Sequence, residues 1–167
     1  MTQRDTASKD SIRAWLAEHS NRFQYALTLT LRAPYATQAG AATVARRFHH
    51  KFNRAVWGGR RSHTHRIAWA AVVQGDDLER YHLHAAVGNI PRPLAHFQLE
   101  NGVHFNMTVD LLERFKQTAL HTEGVWNRLD FWPIESHPQA WTDYITRKLT
   151  DGNDCALLID DMDLGSR

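Results

Sequence analysis

Between residues 23 and 31 the chain alternates Tyr25, Leu27, Leu29 and Leu31 with Ala26, Thr28 and Thr30, a period of two that predicts a strand with one larger-residue face. Pro34 ends it. From 40 to 57 the period changes. Val44, Phe48, Phe52 and Val56 recur every four residues while Arg47, Lys51 and Arg54 run along another side, as in a basic amphipathic helix. Gly58-Gly59 breaks this helix, and 67–74 is a nearly continuous apolar run of the length expected for a central strand. After the polar turn Gly75-Asp76-Asp77, residues 81–87 read as its hairpin partner, bounded by Gly88-Asn89 and by Pro91 and Pro93, which open a loop.

Shorter signals complete the pass. Ile12, Trp15 and Leu16 give 11–19 one apolar helical face, with Ser11 placed to cap it. A helix is expected over 109–120, with Thr108 or Asp110 at its start, then a strand over 125–134 carrying Trp126, Phe131 and Trp132. A last helix begins at 136–138, where Ser136 can cap and Pro138 is tolerated in the first turn, and runs to 149 before Asp151-Gly152. This order of elements predicts an α+β domain with one antiparallel sheet, covered mainly on one face and ferredoxin-like in arrangement. With 167 residues and 43% hydrophobic content, one core is expected. Residues 1–150 are taken as a single domain, 1–20 being an N-terminal helical extension. Residues 151–167, with Asp154, Asp160, Asp161 and Asp163, form an acidic tail.

Charge changes the picture more than composition does. The formal net charge is only +2, yet no Asp or Glu occurs between His19 and Gly75. That stretch holds Arg22, Arg32, Arg46, Arg47, Lys51, Arg54, Arg60, Arg61 and Arg66, so the rest of the chain is net acidic. A polyanion is the natural partner of such a segment, although a solvated basic surface is the plainer reading. No apolar run is long enough for a signal peptide or a membrane span, which points to the cytoplasm. Cys155 is the sole cysteine, excluding an internal disulfide and any multi-cysteine zinc site.

Two histidine pairs stand two residues apart. His63 and His65 follow the basic run Gly58-Gly59-Arg60-Arg61 and read as an exposed turn. His82 and His84 fall on a predicted strand, where residues two apart share a face and both imidazoles can reach one cation. Satisfied sheet-face histidines are the bland alternative. Further on, Trp141-Thr142-Asp143-Tyr144-Ile145-Thr146-Arg147-Lys148 lies on the last predicted helix. Arg147 and Lys148 follow Tyr144 by three and four positions, so both cations flank the phenol. A phenol is a poor nucleophile until ionised, and neighbouring positive charge favours its anion.

Taken together these segments resemble the HUH endonucleases of the single-tyrosine class, related to rolling-circle replication initiators and relaxases. Ala26-Leu27-Thr28-Leu29-Thr30-Leu31 is similar to the first strand motif, Tyr81-His82-Leu83-His84-Ala85-Ala86-Val87 to the His-hydrophobe-His strand, and Asp143-Tyr144-Ile145-Thr146-Arg147-Lys148 to the tyrosine helix. The resemblance spans 23–149 and implies an HUH-type fold with a C-terminal helix carrying the tyrosine. It implies Tyr144 as nucleophile, assisted by Arg147 and Lys148, with His82 and His84 as ligands of Mg²⁺ or Mn²⁺. The chain departs from the family in two places. Arg147 stands where members often have lysine, with Lys148 one position later. The third metal ligand, commonly acidic, falls to Gln74, with Asp76, Asp77 or Glu79 as substitutes.

The implied reaction is site-specific nicking and joining of single-stranded DNA or a DNA hairpin at an origin through a 5′-phosphotyrosine, for rolling-circle replication. Arg46, Arg47, Lys51, Arg54, Arg60 and Arg61 would track DNA phosphates, with Trp57 or Tyr81 for base stacking. No Walker loop is present, so unwinding would fall to a separate helicase. Two rivals stay open: a noncatalytic nucleic-acid-binding module with structural histidines, and a metal-dependent hydrolase using water in place of Tyr144.

Overall fold

All nine residues of β1 (Phe23–Leu31) are buried, so this strand lies inside a layer enclosed on both sides. The structure, a computed structural model, describes residues 9–74, 81–91, 93–99, 103–133 and 163–164. Around β1 stand α1 (Lys9–Glu18), α2 (Gln38–Trp57), β2 (Ala68–Gln74), β3 (His82–Gly88), β4 (Ala95–Leu99), β5 (Val103–Met107), α3 (Val109–Leu120), β6 (Val125–Pro133) and β7 (Asp163–Leu164). The main sheet runs β6-β1-β3-β2-β7 with every pairing antiparallel. Helix α2 joins β1 to β2 with β3 inserted between them, and α3 lies on the path from β3 to β6. An α+β domain with this strand order is compatible with a ferredoxin-like arrangement.

One face of the sheet presents Tyr25, Leu27, Leu29, Leu31, Trp69, Ala71, Val73, Leu83, Ala85 and Val87 to the apolar sides of α2 and α3. The four-residue spacing of Val44, Phe48, Phe52 and Val56 is what makes α2 a lid for this face. Phe48 stacks on Trp69 at 6.0 Å and meets Phe115 of α3 edge-on at 5.8 Å. Truncating such a ring costs about 3–5 kcal/mol. Local chemistry fixes the helix ends. The Thr37 hydroxyl accepts from the Gly40 N–H at 3.1 Å, and Gly58, at φ 78°, turns the chain out of the helix. Thr108, one of the two residues the sequence offered for the start of α3, caps it by accepting from the Leu111 N–H at 3.1 Å, and Asp110 stands in the first turn.

The second face is the main correction to the sequence reading, which expected cover mainly on one side. Ala26, Thr28, Thr30, Ala68, Ala70, Val72, His84 and Ala86 are buried there as well. Cover mainly on one face would leave these small residues largely exposed. Small residues in a buried layer instead mark close approach of whatever covers them. Gly88 shows the same tightness in the backbone, since a Cβ there would meet the Arg22 carbonyl oxygen at 1.7 Å.

Other differences are local. The loop expected after Pro93 contains a hairpin, β4 pairing with β5 through Phe97 and Phe105. Helix α1 starts at Lys9, ahead of the expected Ser11 cap. Asp163 and Leu164 of the acidic tail pair with Trp69 and Ala68, adding two residues to the edge of β2. The helix expected over 136–149 lies outside the described residues.

Candidate active site on the second sheet face

Strand periodicity places His82 and His84 on the face opposite Leu83, and Leu83 belongs to the core beneath α2 and α3. Register then assembles two polar rows. In one, His82 is the Cα partner of Thr30 on β1 and of Gln74 on β2. In the next, His84 is the partner of Thr28 and of Val72. A third row, formed by Ala26, Ala86 and Ala70, has no polar side chain. Of these three rows, the polar ones lie toward the end of the sheet where β2 finishes and β3 begins.

The two imidazole rings lie 6.3 Å apart, centre to centre, inclined by 22°. His84 is buried, and its Nδ1 lies 3.0 Å from the Thr28 hydroxyl, while His82 and Gln74 are half-buried. When Nδ1–H donates to Thr28, Nε2 is left with the lone pair that a metal ion uses. Two near-parallel imidazoles, with Gln74 in register opposite His82, offer a donor set that suits a divalent cation of borderline hardness. His82, His84 and Gln74 fit such an ion in type and position. Among the described residues no cluster of three His, Cys, Asp or Glu is present; Asp76, Asp77 and Glu79, the acidic alternatives to Gln74, lie outside those residues.

Sequence reasoning missed Thr28 and Thr30 as members of this site. Their signal was visible as two hydroxyls alternating with leucines on β1, but only register shows that they stand beside the histidines. Asp130 is the Cα partner of Thr28 on β6 and so belongs to the His84 row, a position no spacing rule announces.

The basic residues fall elsewhere. Helix α2 covers the core face, so the sheet separates Arg46, Arg47, Lys51 and Arg54 from the histidine pair. Two of these cations also have structural work. Arg47 pairs with Glu123 at 2.9 Å and lies over the Tyr35 ring, and Lys51 donates to the His121 carbonyl. The Tyr35 hydroxyl, followed by Arg47 and Arg32, holds the Glu123 carboxyl below the usual range.

Arg60 and Arg61 are exposed on the turn that leads into β2 at its Ala68 end. Gln74, at the other end of that strand, is about 20 Å away at the usual rise per residue. Buried Asn53 fixes this turn, donating to the Ser62 carbonyl at 3.1 Å and accepting from the Ile67 N–H at 2.9 Å. His63 and His65 are exposed there, as the sequence implied. Trp57 is half-buried, its ring 4.9 Å from that of His65, and Tyr81, also half-buried, packs partly against the core. Tyr144, Arg147 and Lys148 lie outside the described residues.

Compared with models of known families, with characterised proteins and with solved structures, the chain returns no match. No helix among the described residues is long and apolar enough to cross a membrane.

Proposed function

We propose that this chain is a metal-dependent endonuclease of the HUH type that nicks single-stranded DNA through Tyr144. The observation that carries the reading is the convergence of His82, His84 and Gln74 on one end of one sheet face, with Thr28 orienting His84. A divalent cation held by these three residues, Mg²⁺ or Mn²⁺, would supply Lewis-acid polarisation of the scissile phosphate. The Tyr144 oxygen attacks phosphorus and forms the new O–P bond as the bond to the 3′ oxygen breaks. That oxygen leaves and is protonated by solvent, and the tyrosine retains the 5′ phosphate as a diester available for rejoining. Arg147 and Lys148 favour the phenolate and offset charge on the phosphate oxygens. Initiation of rolling-circle replication, with an origin strand or hairpin as substrate and a separate helicase as partner, is the role this chemistry suits.

The test is incubation with end-labelled single-stranded oligonucleotides and Mn²⁺. A denaturation-resistant adduct that disappears in Tyr144→Phe supports the proposal. Cleavage that survives Tyr144→Phe means attack by water, and binding with no cleavage at any metal concentration leaves the noncatalytic module. The contact between His84 and Thr28 also suits that last reading, because it satisfies a buried histidine without a metal.

A further inference from the structure

A concavity of about 260 Å³ opens where the last turn of α3 meets the start of β6, lined by Arg32, Leu120, His121, Thr122, Glu123 and Trp126 among others. It is separate from the polar rows but lies at the same end of the sheet. Leu31 is the Cα partner of Val125 and its N–H donates to the carbonyl of Tyr81, the residue before His82. Only β1 separates β6 from β3, but α3 packs on the face opposite the histidines, so the cavity beside its last turn stands on the other side of the sheet from them.

Its lining has a definite chemistry. Trp126 is 47% exposed and Leu120 61%, so two of the three large exposed hydrophobics among the described residues meet at one depression. Exposed apolar groups gathered around a cavity mark a binding site more often than isolated ones do. Arg32 and Arg47 flank a single carboxylate, Glu123, and Arg47 already forms the close ion pair with it, which leaves the charge of Arg32 in surplus at the rim. An indole, an aliphatic wall and an unbalanced guanidinium favour a flat ring system carrying negative charge. The volume is below the roughly 300–1,000 Å³ of pockets for drug-sized ligands and suits one such ring system.

We propose that this concavity binds one nucleotide of a single strand, the base against Trp126 and Leu120 and the phosphate at Arg32. The choice of a nucleotide rests on the nickase reading; the cavity's chemistry does not.

The test measures binding without cleavage. Metal-free protein is titrated with deoxyadenosine monophosphate and with ribose 5-phosphate, followed by saturation-transfer NMR and calorimetry. The mononucleotide is expected to bind with its base protons saturated, and the base-free sugar phosphate about tenfold or more weakly. Trp126→Leu should weaken the mononucleotide about tenfold, Trp126→Phe should retain most of the affinity, and Arg32→Gln should weaken deoxyadenosine monophosphate but not deoxyadenosine. Circular dichroism of each variant checks that the fold is intact. Equal affinity for the base-free probe, or mononucleotide binding indifferent to both Trp126 and Arg32, overturns the proposal. Adduct formation at Tyr144 accompanied by either result removes this site and leaves the nickase, whereas Trp126-dependent nucleotide binding without any adduct removes the nickase and leaves the site.

Discussion

Thr28 and His84 touch across adjacent antiparallel strands, hydroxyl to Nδ1 at 3.0 Å, on the sheet face away from α2 and α3. This contact helps to orient a buried imidazole, and where Nδ1–H is the donor it leaves Nε2 free to act as a ligand. Thr28→Val keeps the shape and removes the partner. Mn²⁺ affinity should fall about 10- to 100-fold, with recovery in Thr28→Ser. Calorimetric titration reads this directly, and an unchanged affinity would make the contact purely structural.

The separation of the basic residues from the histidines gives a second expectation. Arg60→Ala and Arg61→Ala should each weaken oligonucleotide binding and reduce the slope of log affinity against log salt by about 1, because these side chains are exposed on a turn with no acidic neighbour in sequence. Arg47→Ala should change the salt slope less, since its guanidinium already pairs with Glu123. Fluorescence anisotropy across a salt series distinguishes the two; equal slopes in all three variants would contradict this division.

Asn53 holds the basic turn from inside. Asn53→Leu removes the acceptor of the Ile67 N–H and the donor to the Ser62 carbonyl, leaving two backbone groups unsatisfied. A loss of about 3 kcal/mol is expected by urea denaturation. A neutral substitution would mean that the turn is held by other contacts.

Alkaline stability should report on Tyr25. Burial pushes its hydroxyl up to about 12 from an ordinary value of 10.0, so the folded state resists ionisation that the unfolded chain accepts. The stabilisation is complete below pH 10 and is lost as pH rises from there toward 12. Denaturant titrations over that window should show a decline that is shallower in Tyr25→Phe; identical declines would place the effect on another group.

Much of this architecture is legible without coordinates. The strand of alternating leucines, the basic helix with phenylalanines at four-residue spacing, the Thr108-capped helix and the hairpin partner bearing two histidines follow from periods of 2 and 3.6 and from local capping. Those signals are properties of neighbouring residues, and a chain displays them in order. What they omit is equally specific. Residues 95–107 lie past two prolines, and β4 and β5 have no pattern strong enough to override that punctuation.

Pairing across the sheet is another matter, because it joins residues far apart in sequence. Thr28 lies 56 positions from His84, and only the insertion of β3 between β1 and β2 brings hydroxyl, imidazoles and Gln74 into neighbouring rows. The same topology puts the basic helix behind the sheet, a fact invisible to charge counting. The sequence by itself determined which segments are strands and helices and which side chains share a strand face, since local geometry has a fixed period. Only the tertiary structure decided which faces meet and how far the arginines stand from the histidines, since register and layer order are set by long-range packing.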